Sequence, residues 1–350
     1  MRLPAFCRFL TIALAALLPG AGAFGQDITL TRFTFSPESR QIGRIVPRAS
    51  RPMPGKLKLG GPTARLFTID RNHNLSFRKS LPAQQQSPWY EVVIRYQVRT
   101  EVHQDTFRVV QDQFLRNQVI AHRGAWKNTG ATENSIAALQ HAIRLGCAGS
   151  EFDVHLSADS VLFVLHDPKI QDIAIETTTG PELARLKLKN GESLPTLAAY
   201  LQEGVKQNKT RLVLEMKPSI VSKERSLALA RATVALVSKY RAQGWVDYIS
   251  FDYDILKQVL ALDPYAKVAY LKGDVAPAVL ARDKLYGLDY HFSVLQKNPD
   301  WLLEARRLGL TTNVWTVNDP ALMDWFLLNK ADFITTNEPE LLLEKVKQSQ

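Results

Sequence analysis

The chain has 350 residues, which leaves room for two domains or for one large barrel with an appendage. Hydrophobic residues make up 45% of the chain and charged residues 22%, a balance that is typical of globular proteins and excludes wholesale disorder, collagen and coiled coil. Only two cysteines occur, and because Cys7 lies in a segment that we expect to be removed, Cys147 has no partner for an internal disulfide.

Residues 1–25 are predicted to be a cleaved signal peptide. Two arginines, Arg2 and Arg8, precede the apolar run Phe9–Leu18. This run is too short to span a bilayer and is followed by the helix-breaking pair Pro19-Gly20. Ala21-Gly22-Ala23 is a small-x-small cleavage pattern, and a cut after Gly25 is the second choice. A cleaved signal implies a periplasmic or secreted protein, whereas the alternative is a retained anchor or a buried hydrophobic helix.

Residues 26–117 are predicted to form a small all-β sandwich domain. Runs rich in β-branched and aromatic residues, separated by Pro, Gly, Asn and Gln, are typical of short strands. Residues 40–62, rich in Pro, Gly and Arg, are expected to form a mobile loop. The pattern over 66–96 faintly resembles the cadherin-like modules of bacterial surface proteins. The clearest strand predictions are 64–70, 89–96 and 106–110.

The positive charge of the chain is concentrated in this β domain. Residues 27–117 hold 15 Lys and Arg against 7 Asp and Glu, whereas residues 118–350 hold 27 of each. Such a basic surface can attract anionic lipid or a cell-wall polymer through long-range electrostatics, and in an exported protein we expect no nucleic-acid partner. The alternative is a solvated domain whose charge only aids solubility.

Residues 118–350 are predicted to form a (β/α)8 barrel of the TIM type. Short apolar strands alternate with amphipathic stretches, which indicates βα repeats and a parallel sheet, and a doubly wound sheet is the alternative. Helices are predicted at 133–145, 194–207, 223–243, 299–308 and 320–328. Candidate strands are 119–121, 150–154, 161–165, 211–215, 248–251, 267–271, 288–294, 312–317 and 332–335.

These nine candidate strands exceed the eight places in such a barrel. Only twelve residues separate Asp153 from His166, too few for a helical crossover between parallel strands. Either an extended loop replaces that helix, or one candidate strand is not part of the barrel.

Polar side chains close several of the predicted strands. Because the active site of such a barrel forms where its strands end, we expect these side chains to meet at one rim. Glu151 and Asp153 are two residues apart on a strand, so they share a face and, with Glu215, offer oxygen ligands that suit calcium or magnesium better than zinc. His155 shares that face, as a further ligand or as an ordinary lumen histidine.

The order of these motifs resembles the glycerophosphodiester phosphodiesterase family over residues 119 to about 342. The motifs are His122-Arg-Gly124, Glu133-Asn-Ser135, Glu151-Phe-Asp-Val154, Asp159 to His166-Asp167, Glu215-Met-Lys217, Ser250-Phe-Asp252, Val314 to Asn318 and Ile334 to Pro339.

The resemblance implies metal-dependent hydrolysis of glycerophosphodiesters to sn-glycerol 3-phosphate and an alcohol. It further implies one divalent cation, Ca²⁺ or Mg²⁺. Two other functions stay open: hydrolysis of intact phospholipid, and a non-catalytic surface-binding scaffold on the same barrel. The implied site residues are the acid–base pair His122 and His166, the metal ligands Glu151, Asp153 and Glu215, the phosphate-binding Arg123 and Lys217, and Trp315 as a wall of the glycerol pocket.

Some of these residues also have a structural interpretation. Glu215 and Lys217 are able to form an ion pair in the lumen, and Trp315 is able to serve as core packing. Glu133 opens a predicted helix, so we interpret it first as a cap that complements the helix dipole. Cys147 is expected to be a buried thiol at a helix–strand junction.

The chain also departs from the family pattern at two places. Where the family commonly has an Arg-Thr pair after the His-Asp motif, residues 175–180 read Ile-Glu-Thr-Thr-Thr-Gly, and where it often has Thr-Asp, the chain has Thr336-Asn337. Neither departure removes an implied ligand, so both bear on substrate preference.

Overall fold

A computed structural model describes residues 27–48, 51–81 and 87–348 of the chain. The predicted signal peptide lies outside the described residues, so it stays a prediction. Across the three described ranges, no helix combines the length and the apolar character that a membrane span requires.

The described residues of the front part, up to Gln111, contain eight strands in two sheets. These strands are β1 Ile28–Leu30, β2 Thr34–Phe35, β3 Gln41–Pro47, β4 Lys58–Gly60, β5 Phe67–Ile69, β6 Asn74–Phe77, β7 Trp89–Val98 and β8 Glu101–Gln111. One sheet has the strand order β1-β3-β6-β5 and the other the order β2-β8-β7-β4.

The two sheets bury their inner faces in one hydrophobic core, which confirms the predicted β-sandwich. Strand β7 shows how the sequence builds it, because Tyr90, Val92, Ile94 and Tyr96 alternate with more exposed residues and are buried. The prediction of a single loop over residues 40–62 is wrong. Strands β3 and β4 lie within this segment, and Ile42 and Ile45 are buried in the core despite the Pro and Gly residues around them.

The rest of the chain forms a closed barrel of eight parallel strands, as predicted. The hydrogen-bonded order is β9-β10-β14-β15-β16-β17-β18-β19, and β19 pairs with β9 to close the barrel. The barrel strands are β9 Val119–Ala121, β10 Gly149–Leu156, β14 Arg211–Met216, β15 Val246–Ser250, β16 Val268–Tyr270, β17 Gly287–His291, β18 Thr311–Trp315 and β19 Phe333–Thr336.

The ninth candidate strand is not a barrel strand. Strand β11, Leu162–Val164, pairs antiparallel with the end of β10, with Val154 opposite Val164. A short hairpin follows, formed by β12 Lys169–Ile170 and β13 Ile173–Ala174. An antiparallel partner needs only a tight turn, which explains how so few residues connect Asp153 to His166.

Ten α-helices are described along the barrel. Asp319 caps α9 by accepting a hydrogen bond from the Leu322 backbone, and Pro320 opens that helix, as predicted. The helices are α1 Ile136–Leu145, α2 Gly180–Leu183, α3 Leu197–Gly204, α4 Lys223–Lys239, α5 Tyr253–Leu262, α6 Pro277–Arg282, α7 Phe292–Lys297, α8 Asp300–Arg307, α9 Pro320–Leu328 and α10 Pro339–Gln348.

The sandwich packs against the end of the barrel where the parallel strands begin. Asn208, just before β14, donates a hydrogen bond of 3.1 Å to the carbonyl of Gln111 in β8. The ring of Trp245, just before β15, lies 6.1 Å from that of Trp89 in β7. The carboxyl ends of the barrel strands therefore lie at the opposite end of the barrel from the sandwich.

Candidate active site

A cavity of about 120 Å³ lies at the carboxyl ends of the barrel strands. Its walls contain seven of the eight site residues implied by the sequence, all except Asp153, which binds Lys217. The cavity is asymmetric, because the histidines and most of the charged residues come from β9, β10, β14 and the segment after β11. The opposite side is largely apolar, with Ile249, Phe251, Leu271 and Trp315, and its one carboxyl group is that of Asp289.

Three buried carboxylates meet where β10 and β14 end. Glu151, Asp153 and Glu215 offer oxygen atoms that lie within 4.8 Å of one another. The parallel register explains this closeness, because it places Asp153 opposite Glu215. Oε1 of Glu151 is buried and has no hydrogen-bond partner among the described residues. An all-oxygen set with an unused buried acceptor fits a hard divalent cation.

Burial and mutual repulsion oppose full ionisation of these carboxyls. Burial and the neighbouring Asp153 charge raise the pKa of Glu151 well above its usual range, and the same two causes raise the pKa of Glu215. Burial is the largest single influence and acts to raise the pKa of Asp153, but the charges of Lys217 and His166 and the hydrogen bonds from Lys217 and Asn134 together outweigh it, so the net shift is downward. A cation bound here would favour the ionised form of all three.

Lys217 lies between two of these carboxylates. Its Nζ is 2.8 Å from Oδ1 of Asp153 and 2.7 Å from Oε1 of Glu215. Lys217 is two residues from Glu215 and therefore shares its face. The lumen ion pair is present, and the same ammonium borders the cavity, where it can also meet an anion.

The segment before α1 holds the first two strand ends together. The Arg123 backbone N–H donates to Glu151 Oε2 at 2.8 Å, and Arg123 Nη1 lies 2.9 Å from Glu133 Oε2. Asn134 binds Asp153 twice: its Nδ2 donates to Oδ2 at 2.8 Å, and its Oδ1 accepts from the Asp153 backbone at 3.1 Å. The sequence does not predict this role, although Asn134 belongs to the motif Glu133-Asn-Ser135.

The interpretation of Glu133 as a helix cap is wrong. Helix α1 begins at Ile136, and its cap is Ser135, whose hydroxyl accepts from the Ala138 backbone at 3.0 Å. Glu133 therefore precedes the helix and instead binds Arg123. A serine is a better cap than a glutamate because its short side chain reaches the free N–H groups of the first turn.

Gly124 explains how α1 packs so close behind the His122-Arg123 turn. Gly124 has a φ of +79°, and a Cβ atom there would lie 2.7 Å from Cβ of Ala138 and 2.8 Å from its carbonyl carbon. Neither the left-handed backbone nor the space allows a larger residue. Glycine at this position therefore positions the turn that presents His122 and Arg123.

We expect Gly124→Ala to lower the free energy of unfolding by roughly 2–4 kcal/mol, because left-handed backbone strain adds to overpacking against Ala138. Chemical denaturation measures this loss. Gly130→Ala is the matched control, because Gly130 has a φ of +72° but nothing lies within 4 Å of the added methyl group. Equal losses in the two variants would contradict the close-contact argument.

The two histidines reach the cavity with one nitrogen held by a neighbour. His122 Nδ1 lies 2.7 Å from Oδ1 of Asn337, which is the residue that departs from the family pattern. Because this amide oxygen can only accept, the His122 proton sits on Nδ1 and Nε2 stays free, 4.0 Å from Glu151 Oε2. Burial and the neighbouring Arg123 charge lower the pKa of His122 to about 4. His166 Nδ1 lies 2.8 Å from Oδ1 of Asp167.

His155 contacts the backbone of His166 and does not line the cavity. Its Nε2 lies 3.1 Å from the carbonyl oxygen of His166, and the ring is buried. Of the two interpretations that the sequence left open, the lumen histidine fits this contact, and within the described chain His155 is not part of the cluster of potential metal ligands.

Trp315 forms the apolar wall and also belongs to the packed lumen. Its Nε1 donates to the backbone oxygen of Asp289 at 2.9 Å, and its ring meets that of Phe251 edge-on at 5.5 Å. Cys147, as predicted, is buried between α1 and β10, and burial raises the pKa of its thiol to about 12.

Comparison with known proteins identifies the family of the barrel. The sequence matches the model of the glycerophosphoryl diester phosphodiesterase family over residues 122–341. It is 28% identical over 251 residues to the glycerophosphodiester phosphodiesterase of Caldanaerobacter subterraneus subsp. tengcongensis, an alignment that covers 67% of this chain and 99% of that protein.

Solved structures agree with this match. A glycerophosphodiester phosphodiesterase from Parabacteroides distasonis has a TM-score of 0.65 and 45% identity, covering 67% of this chain and 98% of that one. A phosphodiesterase of Oleispira antarctica, solved with the product sn-glycerol-3-phosphate, has a TM-score of 0.54 and 25% identity, covering 66% and 96%. The cadherin-like resemblance of the sandwich stays a prediction. The barrel carries the family match over most of its length, and the chain therefore belongs to the glycerophosphoryl diester phosphodiesterase family.

Proposed function

We propose that this protein hydrolyses glycerophosphodiesters to sn-glycerol 3-phosphate and an alcohol. The observation that carries this proposal is the single cavity at the strand ends, where two histidines, three carboxylates and two cationic side chains converge. The product bound in the Oleispira antarctica relative supports the same reaction.

A phosphodiester anion repels nucleophiles, so the site has to offset charge as the phosphorus is attacked. Arg123 and Lys217 border the cavity and provide positive charge for the phosphoryl oxygens. Glu151, Asp153 and Glu215 would hold one divalent cation, Ca²⁺ or Mg²⁺, which when bound supplies further positive charge to those oxygens.

The two histidines divide the proton transfers between them. His122 takes the proton from the attacking hydroxyl group, because its ring is neutral at neutral pH and Asn337 leaves Nε2 free to accept. His166, which also lines the cavity, protonates the leaving alkoxide. Asn134 and the Arg123 backbone N–H hold Asp153 and Glu151 in place while this occurs.

The purified protein should release sn-glycerol 3-phosphate from glycerophosphocholine when Ca²⁺ or Mg²⁺ is present. A chelator should stop this release, and excess cation should restore it. An enzyme-coupled assay for glycerol 3-phosphate measures the product. Turnover of phosphatidylcholine vesicles without turnover of glycerophosphocholine would favour the intact phospholipid as substrate, and no turnover of either, with binding to anionic vesicles, would favour the scaffold.

A further inference from the structure

Asp289 is a buried carboxyl group in the barrel lumen that the mechanism above does not use. It lies in the middle of β17, where Gly287, Asp289 and His291 face the lumen and alternate with Leu288 and Tyr290, which are packed against the helices. The Asp289 residue is only 2% exposed. It nevertheless borders the active cavity.

One oxygen of Asp289 is held and the other is free. Asn313 Nδ2 donates to Oδ2 at 3.0 Å, and Thr335 holds Asn313 through hydrogen bonds of 2.9 and 3.1 Å. Oδ1 is buried and has no hydrogen-bond partner among the described residues. The carboxyl group is therefore fixed in orientation by its neighbours, with one unsatisfied oxygen.

Within the described part of the chain, no cationic side chain forms an ion pair with this group. Burial raises the pKa of Asp289 to about 7, and the hydrogen bond from Asn313 opposes that rise. An unpaired buried carboxyl destabilises a fold, and such groups concentrate where a ligand supplies the missing partner. Asp153 and Glu215 are paired with the Lys217 ammonium, whereas Asp289 has no such ion pair among the described residues.

The position of Asp289 indicates which part of a substrate it meets. Asp289 borders both the active cavity and a smaller cavity of about 40 Å³ nearer the strand starts, so it lies at the inner limit of the active cavity. Ile249, Leu271 and Trp315 make this side apolar. A diester whose phosphate meets the two histidines would therefore extend its glycerol carbons along the apolar wall toward Asp289.

We propose that the free oxygen of Asp289 binds the terminal hydroxyl of the glycerol moiety and thereby selects glycerol over alcohols that lack this group. The inference rests on the proposed function and deepens it. A hydroxyl suits the site because it can donate to a carboxylate and accept from a carboxylic acid. Asp289 is thus a specificity-determining residue, and the variable alcohol of the diester leaves toward the open end of the cavity.

The test compares two diesters that differ only in that hydroxyl. One is glycerophosphocholine, and the other is the phosphocholine ester of propane-1,2-diol, which keeps the hydroxyl next to the phosphate ester and lacks the terminal one. The wild-type protein should prefer glycerophosphocholine in kcat/KM by about 10- to 100-fold, the range expected for a hydrogen bond to a charged group. Asp289→Leu should remove this preference, mainly through a higher KM for glycerophosphocholine.

Asp289→Asn, which keeps the shape and one acceptor, should retain a reduced preference of at least about threefold. Asp263→Asn is the matched control, because Asp263 is also a buried carboxyl, 5% exposed, but lies outside the active cavity. It should leave the preference unchanged. Thermal melting checks that each variant is folded, and Asp289→Asn decides the matter if Asp289→Leu does not fold.

Equal losses on both diesters in the Asp289 variants would show a structural role and overturn the inference, as would an unchanged preference or a wild-type protein that does not discriminate. No turnover of any diester by the wild type would overturn the proposed function and this inference together. Turnover with unaltered selectivity overturns the inference alone.

Discussion

Replacing His122 by asparagine should lower kcat for glycerophosphocholine by about 10²- to 10⁴-fold and change KM little. Asparagine is similar in size but cannot transfer a proton, so the loss falls on the chemical step. Steady-state kinetics measures it. His166→Asn should cause a loss of the same order, and the double variant should lose less than the product of the two, because the pair acts as a unit.

The pH profile separates a proton-transfer role from a packing role. The pKa of His122 is lowered to about 4, so the ring is neutral and able to act as a base above that pH. With saturating divalent cation, the acid limb of kcat/KM in the wild type should therefore lie below the ordinary histidine range near 6.5, and His122→Asn should displace it. His73→Asn, in a sandwich turn with a φ of 62°, is the control and should behave as wild type. A profile unchanged by His122→Asn would contradict the base assignment.

Replacing Glu151 by glutamine should remove both the metal response and nearly all activity. We expect kcat/KM to fall by more than the roughly 10- to 100-fold that is typical for residues that only support a metal ligand. In the wild type, the melting temperature should rise with Ca²⁺ or Mg²⁺ concentration, because a ligand that binds only the folded state stabilises it. In Glu151→Gln this rise should be absent or strongly reduced.

The metal-free forms should show the opposite order of stability. The pKa of Glu151 is raised in the folded state, so the wild type loses stability as the pH rises above the unfolded value of about 4.3. Without metal at neutral pH, Glu151→Gln should therefore melt at a higher temperature than the wild type. Glu176→Gln is the control, because Glu176 is also a buried carboxyl but lies away from the cavity. This variant should keep the wild-type metal response. A full metal response in Glu151→Gln would contradict its role as a ligand.

The sequence was sufficient to predict both the barrel and the residues of its site, because the position of a residue along a barrel strand determines whether it lies near the active site. Parallel strands end at one edge, so the polar residues toward the carboxyl ends of β9, β10 and β14 lie close together irrespective of the loops that follow. The period of two along a strand also predicts that Glu151 shares a face with Asp153, and Glu215 with Lys217.

Other features depend on tertiary contacts that no local pattern encodes. Helix α6 has only six residues, too few for a clear helical period. Helix α7 begins at Phe292, within a run that the sequence predicts as a strand, because short runs of aromatic and β-branched residues are compatible with a strand or a helix. Only the antiparallel pairing of β11 with β10 shows that the ninth candidate strand is not part of the barrel. The position of the Lys217 ammonium, and the free oxygen of Asp289, depend on side-chain distances across the lumen. The alternation of side chains along β17 predicts that Asp289 faces the lumen, but it does not predict that one of its oxygens lacks a partner.

The attachment of the sandwich at the starts of the barrel strands has a directional consequence. A cell surface held by the face of the sandwich that points away from the barrel would lie on the far side of the barrel from the opening of the cavity. The opening would then point into the surrounding medium, where it meets diesters that diffuse freely, and membrane lipids beneath the sandwich would be out of reach. Orientation alone would thus restrict an anchored enzyme to dissolved substrates.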